Sequence, residues 1–235
     1  MSTPGHDHIA DSIRQAMTQY FHDLDGEAPA AVYDMVLARV EKPLLEKILK
    51  RCQELDILMA VDECFLDFVP SPEKYTLKEY LETYDNLFLL KAFTKRYAMA
   101  GVRLGYGLCG NKGLLEKIEG VCQPWNVSSM AQAAGLAALQ EREYVEKGRQ
   151  VTFQELAYLK EELTALGYPV YPSQANYVFF TGPADLYEKL EQKKILIRDC
   201  SNYTGLSKGY YRVAVKEHEE NQQLVRALKE IERNR

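Results

Sequence analysis

The chain has 235 residues, 46% of them hydrophobic, enough to bury a substantial core as one large domain or as a main body with an appendage. Its net charge of −5 argues against a broad nucleic-acid surface, because phosphate binding needs a clustered basic footprint. Five cysteines, odd in number and scattered with no CxxC pair, exclude a disulfide framework or sulfur-rich zinc site as the first reading and fit a reducing cytoplasm. In chain order, the start MSTPGHDHIADSIRQ has no signal-peptide core, and His6 and His8 read as solvated terminal residues, so no metal is expected. No apolar run approaches the ~20 residues of a membrane span.

Ile13, Ala16, Met17, Tyr20, Phe21 and Leu24 form the stripe of an amphipathic helix that ends at Asp25-Gly26. A second helix is predicted from about Ala30 to Glu54, with Leu44, Ile48 and Leu49 on its apolar face and a kink at Pro43. The pair reads as a helical hairpin packed on the main body, or as a dimerisation hairpin completed by a second copy. Beyond Leu55 the pattern becomes α/β. DILMAVDECF, NLFLLKAF and RLGYGLCG are short apolar runs of the kind found in buried parallel strands. Helices are predicted at Ser129–Leu139, about Glu141–Leu166, Ala184–Lys193 and Glu217–Arg233. Strands are predicted in PVYPSQANYVFFT, ILIRDC and YYRVAVK, which makes the last third a smaller α+β unit.

In open α/β sheets ligands sit at the carboxyl ends of strands. The polar residues there are Asp62 and Glu63, then Thr94 and Lys95, then Arg103 at the start of the third strand. An Asp, a Lys and an Arg at one sheet edge suit a phosphorylated aromatic aldehyde. Its ring nitrogen needs an anion, its aldehyde an amine and its phosphate a cation, and pyridoxal phosphate is that molecule. Spacing leaves a second reading open, a surface lysine with two unrelated ion-pair partners. Cys64 reads as a buried strand-end thiol, Trp125 with Pro124 as a packing corner, and Arg198 as a second substrate cation or an ion-pair partner of Asp199 or a neighbour. His218, in an acid-rich helix start, is not read as a catalytic base.

The residues themselves carry a resemblance. FTKRYAMAGVRLGYG resembles the cofactor-lysine signature of class I/II aminotransferases, and VDECFLDF resembles the strand end that carries their pyridine-nitrogen Asp. QPWNVSSMAQAAGLAAL, SQANYVFF and YYRVAVKEHEENQQLVRAL resemble later segments of the histidinol-phosphate aminotransferase and threonine-phosphate decarboxylase branch. The resemblance implies a partial pyridoxal-phosphate transferase of fold type I, an α/β fold, with pyridoxal 5'-phosphate as cofactor and an amino acid or amino-alcohol phosphate as substrate. It implies that Lys95 bonds the cofactor and later moves the proton on the substrate α-carbon, and that Asp62 holds the ring nitrogen. Thr94 and Arg103 would contact the cofactor phosphate, and Arg212 would take the substrate carboxylate with Asn176 nearby. Two positions depart from the pattern: Ala92 stands where many relatives have a phosphate-binding Ser, and Phe65 where many have a Tyr that bonds the ring oxygen.

In that family a half-domain precedes the DECF strand, supplying a glycine-rich phosphate loop and the aromatic that stacks on the ring; without it, weak turnover is expected. Here IADSIRQAMTQYFHDLDGEAPAAVYDMVLARVEKPLLE instead resembles the first two helices of the bacterial nucleoid protein Fis, which build a homodimer and have a Pro kink matching Pro43. The DNA-reading helix-turn-helix of Fis does not follow, so no nucleic-acid partner is expected. The resulting division is 1–54 as a Fis-like hairpin, 55–150 as part of a cofactor-binding domain and 151–235 as a small domain. The second functional reading is a non-catalytic chimera in which the hairpin dimerises an aminotransferase fragment.

Overall fold

A computed structural model describes Gln15, Thr18, Gln19 and residues 32–234, with the backbone alone described over 32–42. Gln15, Thr18 and Gln19 are helical; the rest of the expected first helix, with the apolar stripe that predicts it, lies outside the described residues. Helix α1, Val32–Glu54, follows the second expectation closely and runs unbroken through Pro43. Its buried face differs in part from the expected one. Leu44 and Ile48 are 43% and 41% exposed, whereas Leu49 reaches the core as expected, with Leu45 one turn before it packed alongside.

The chain divides into two compact units. The first takes the described residues up to Val61 together with Glu73–Leu90 and Gly107–Cys122. Its core is a small cluster of Leu49, Leu77, Leu87 and Leu89, flanked by Met59, Val61, Tyr80 and Leu108. Strands β1 (Met59–Asp62), β2 (Leu87–Ala92) and β3 (Gly105–Cys109) form a parallel-containing sheet in the order β1-β2-β3. Strand β2 buries Leu87 and Leu89 by the two-residue alternation of a pleated strand. Asn86 fixes the entry to β1: its backbone carbonyl accepts from Met59 N at 2.8 Å, and its Nδ2 donates to Ile57 O at 3.1 Å. Helix α2 (Phe93–Arg96) is a single turn directly after β2. Helix α3, Lys112–Val121, was not expected, yet its signals are in the sequence. Asn111 caps it by accepting from Leu114 N at 3.0 Å, and Leu114, Leu115, Ile118 and Val121 follow at helical spacing.

The second unit takes Asp62–Pro72, Lys91–Tyr106 and the described residues from Gln123 on. Helix α4, Ser129–Ala138, starts where Ser128 Oγ accepts from Ala131 N at 3.1 Å. A Cβ at Gly135 would stand 2.5 Å from Leu104 Cδ2, so a larger residue there would have to displace the end of that side chain. Helix α5 (Arg142–Ala165) precedes β4 (Tyr177–Thr181), α6 (Leu186–Gln192), β5 (Arg198–Asp199), β6 (Tyr210–Ala214) and α7 (His218–Arg233). These bounds lie within about two residues of the expected helices. The strands form an antiparallel sheet in the order β4-β6-β5, and α5 and α7 pack together beside it. Alternation places Val178, Phe180, Tyr211 and Val213 in the core with Leu159, Leu163, Leu186, Leu190 and Leu228.

A buried polar knot ties α5 to α7. Glu155 accepts from Asn221 Nδ2 at 2.8 Å and lies 2.9 Å from His218 Nδ1. Asn221 also accepts from Lys216 N at 3.2 Å and donates to Lys216 O at 2.8 Å, so its side chain serves as a backbone partner for the segment just past β6. His218 is thus engaged structurally.

Candidate active site

Each expected site residue belongs to the second unit. Asp62, at the end of β1, is exposed, and its Oδ1 accepts from Cys64 N at 2.9 Å. Hydrogen bonding from the Cys64 thiol, then from its backbone N–H, holds this carboxyl below the usual carboxylate range against the opposing effect of burial. Burial first, then the Asp62 hydrogen bond, pushes the Cys64 thiol up to about 11. Cys64 is half-buried, not fully buried as expected, and its raised value makes it a weak nucleophile. Beside it, Glu63 is 4% exposed and its Oε2 lies 2.6 Å from Lys91 Nζ, forming a buried ion pair within the unit.

Thr94 and Lys95 lie in the single turn of α2, and Lys95 Nζ stands 5.4 Å from the centre of the Phe65 ring. Arg103 precedes β3 by two residues instead of opening it. Its φ of 58° places it in the left-handed region, and its Nη1 donates to Ala100 O at 3.3 Å. On the antiparallel sheet Arg212 stands directly opposite Arg198 of β5, with Tyr177 of β4 one diagonal step away. The guanidinium of Arg212 lies 5.0 Å from the centre of the Tyr177 ring, and that ring meets Phe65 edge-on at 5.9 Å. A cavity of about 380 Å³ gathers Lys95, Asn176, Arg198 and Arg212 around Phe65 and Tyr177. Asp62, Thr94 and Arg103 are not part of its lining.

One local expectation fails, and of the readings left open for Arg198 the ion pair with Asp199 is not found. Trp125 is 96% exposed, in a left-handed conformation at φ 62°, so it is no packing corner. Arg198 is not ion-paired with Asp199: its Nη2 donates to Asn202 Oδ1 at 3.1 Å over the Tyr203 ring, while Asp199 accepts from Ser201. Sequence reasoning also missed the Glu63–Lys91 pair and the Phe65–Tyr177 contact. The first had a signal, since a Lys inside the apolar run LLKAF needs a buried counter-charge. The second had none, because it joins segments more than a hundred residues apart.

Comparison with known proteins supplies the wider frame. A profile described as aminotransferase class I and II matches residues 39–228. The chain is 34% identical to a threonine-phosphate decarboxylase of Salmonella typhimurium over 95% of its own length and 61% of that protein's. It is 37% identical to a histidinol-phosphate aminotransferase of Nitratidesulfovibrio vulgaris over 74% of its own length and 47% of that protein's. The crystal structure of the histidinol-phosphate aminotransferase from Clostridium acetobutylicum superposes with a TM-score of 0.76 at 32% identity, covering 81% of this chain and 58% of that one. The fold is that of the fold-type-I pyridoxal-phosphate enzymes, and the chain spans about half the length of the curated relatives it matches. The Salmonella protein aligns across nearly the whole chain, through most of the segment that resembles Fis. The expected chimera is therefore not supported.

Family membership indicates pyridoxal 5'-phosphate as the cofactor. The donor set fits that group: an exposed lysine amine at a cavity, a carboxylate held ionised, an exposed guanidinium with one long hydrogen bond, and a buried Asn176 Oδ1 without a partner. These residues and the matched profile lead to one assignment: the chain belongs to the class I and II aminotransferases.

Proposed function

We propose that the protein is a pyridoxal-phosphate aminotransferase, or a decarboxylase of the same branch, acting on an amino acid or amino-alcohol phosphate. The observation that carries this reading is the cavity that gathers Lys95, Asn176, Arg198 and Arg212. Like charges directly opposite on antiparallel strands repel, so the Arg198–Arg212 pairing is relieved by a bound anion. Arg212 would take the substrate carboxylate through its planar fork, with Asn176 beside it, and Arg198 would face the substrate's second anionic group.

Lys95 Nζ would hold the cofactor's aldehyde carbon, Asp62 its ring nitrogen, and Thr94 with Arg103 its phosphate. Bound there, the cofactor supplies an electron sink for the bond broken at the substrate α-carbon. Asp62, kept anionic by Cys64, favours a protonated ring nitrogen. Lys95 Nζ moves the proton at the substrate α-carbon. We further propose that the chain works as a cytoplasmic homodimer, with 1–54, 55–150 and 151–235 as hairpin, cofactor-binding and small-domain parts. All five cysteines are free thiols, which agrees with a reducing compartment.

Titration with pyridoxal phosphate tests the reading. A visible absorption band should form, become fixed to Lys95 after borohydride reduction, and be lost in Lys95→Ala. No band, or one unchanged by that substitution, overturns the proposal. Light scattering after size exclusion tests the dimer, which a monomer would refute.

A further inference from the structure

The side chains that join α7 to α5 form a line of hydrogen bonds with a definite direction. Arg226 Nη2 donates to Gln222 Oε1 at 3.0 Å, Gln222 Nε2 lies 2.9 Å from His218 Nε2, and His218 Nδ1 lies 2.9 Å from Glu155 Oε1. A guanidinium can only donate, so the atom of Gln222 that meets it is the oxygen. The amide nitrogen then faces His218, and it too can only donate. At the other end of the ring Glu155, when ionised, can only accept. A neutral imidazole fits between the two in one way: a lone pair on Nε2 and the proton on Nδ1. Free histidine side chains favour the opposite tautomer, with the proton on Nε2.

The Glu155 end of the line is fixed. That residue is 8% exposed, and its Oε2 accepts from Asn221 Nδ2 at 2.8 Å, so it cannot turn from the ring without breaking a buried bond. From α5, Tyr158 also faces His218, with ring centres 5.1 Å apart, and the Glu162–Lys229 pair joins the same two helices farther on. On α7, Glu219 and Glu220 follow His218 in the first turn, and Glu220 is paired with Lys216. Glu217 precedes it. Among the described residues Glu155 is the one acid bonded to the ring.

A proton taken up from solvent has one vacant place on this imidazole, Nε2. That atom then becomes a donor facing another donor, Gln222 Nε2. With the side chains where they stand, the single oxygen of Gln222 cannot face both His218 and Arg226. We propose that His218 is a proton-operated switch in the contact between α5 and α7: when Nε2 takes up a proton, the Gln222 amide turns over and its bond with Arg226 breaks. The bond to Glu155 becomes an ion pair between the helices, and the Arg226 guanidinium is released to solvent. The switch lies within one compact unit and does not depend on the enzymatic reading.

The experiment is side-chain NMR of the full chain labelled with nitrogen-15 and carbon-13, scanned from about pH 8 to 5, the range in which an imidazole ordinarily changes charge. The chain has four histidines, so the His218 signals are identified by their loss in His218→Asn. At the alkaline end the ring should show the Nδ1–H tautomer as its majority form. The Gln222 amide and Arg226 guanidinium signals should then move with the same midpoint as the ring. Gln222→Leu cuts the line but keeps both charges, so the Arg226 response should be lost; a charge felt through space would leave it in place. An Nε2–H majority, Gln222 or Arg226 signals that ignore the His218 titration, or an Arg226 response that survives Gln222→Leu would each overturn the proposal. The first two readings come from the wild type and decide the matter if the variant does not fold.

Discussion

The two hydrophobic clusters differ in how completely they are closed. Around β4-β6-β5, helices α5, α6 and α7 supply leucines to a continuous core in which Val178, Phe180, Leu159, Leu163 and Leu228 are wholly buried. The cluster at β1 and β2 is built on four buried leucines, and its own unit exposes Leu55, Ile57, Leu58 and Val121. The antiparallel sheet is thus a self-sufficient packing unit, whereas the first cluster holds only a narrow strip of its strands dry. Asp62 and Lys95, at and just past the ends of strands of the first sheet, belong to the same compact unit as Arg198 and Arg212 of the closed sheet.

Deleting a large wholly buried side chain from each core is the strongest way to break that contrast. Phe180→Ala should cost about 3–5 kcal/mol and Leu77→Ala about 2–3 kcal/mol, measured by urea unfolding. Equal costs would erase the distinction. Next in size is Glu63→Gln, which strands the half-buried Lys91 ammonium and should cost about 3 kcal/mol, with much of it recovered in Glu63→Gln/Lys91→Met. A cost below about 1 kcal/mol would show that the pair behaves like a surface bridge.

The smallest effects concern Asp62 and Cys64. With its thiol pushed up to about 11 by burial and by Asp62, Cys64 should be alkylated more slowly at pH 8 than the exposed Cys122. Comparable rates would contradict the hydrogen-bonded placement. Because the folded Asp62 carboxyl titrates below its ordinary value of 3.8, its contribution to stability is complete above that value. It is lost only as the pH falls through the depressed one. Asp62→Asn should therefore lower stability slightly, by a constant amount above that ordinary value, with the difference from the wild type closing as the pH falls through the depressed one. A difference that does not close in acid would argue against the Asp62–Cys64 turn.

Much of this architecture was readable from residue order. The heptad-like stripes of α5 and α7 and the alternation of YVFF and YYRVA locate their elements because each buries one face against one neighbour. The lysine and its Asp and Arg companions were legible as a motif. What stayed hidden depends on register and on distant contacts. That Arg198 faces Arg212 follows from the pairing of β5 with β6, which local composition does not encode. Arg149 looked like one charge among many on a solvated helix, and only the fold shows that its Nε is dry. Leu44 and Ile48 misled because an apolar stripe fixes a helix face only to within one position either way.

The side chain of Asn221 closes a hydrogen-bonded ring with the peptide of Lys216, doing for that segment what a neighbouring strand would do. This has a consequence for isotope exchange. The amide of Lys216, though its residue is exposed, should exchange with deuterium as slowly as the interior of β6. The backbone four residues beyond Arg212 would then open only when α7 leaves α5. The strand that carries Arg212 is thus tied just past its end by the side-chain amide of Asn221.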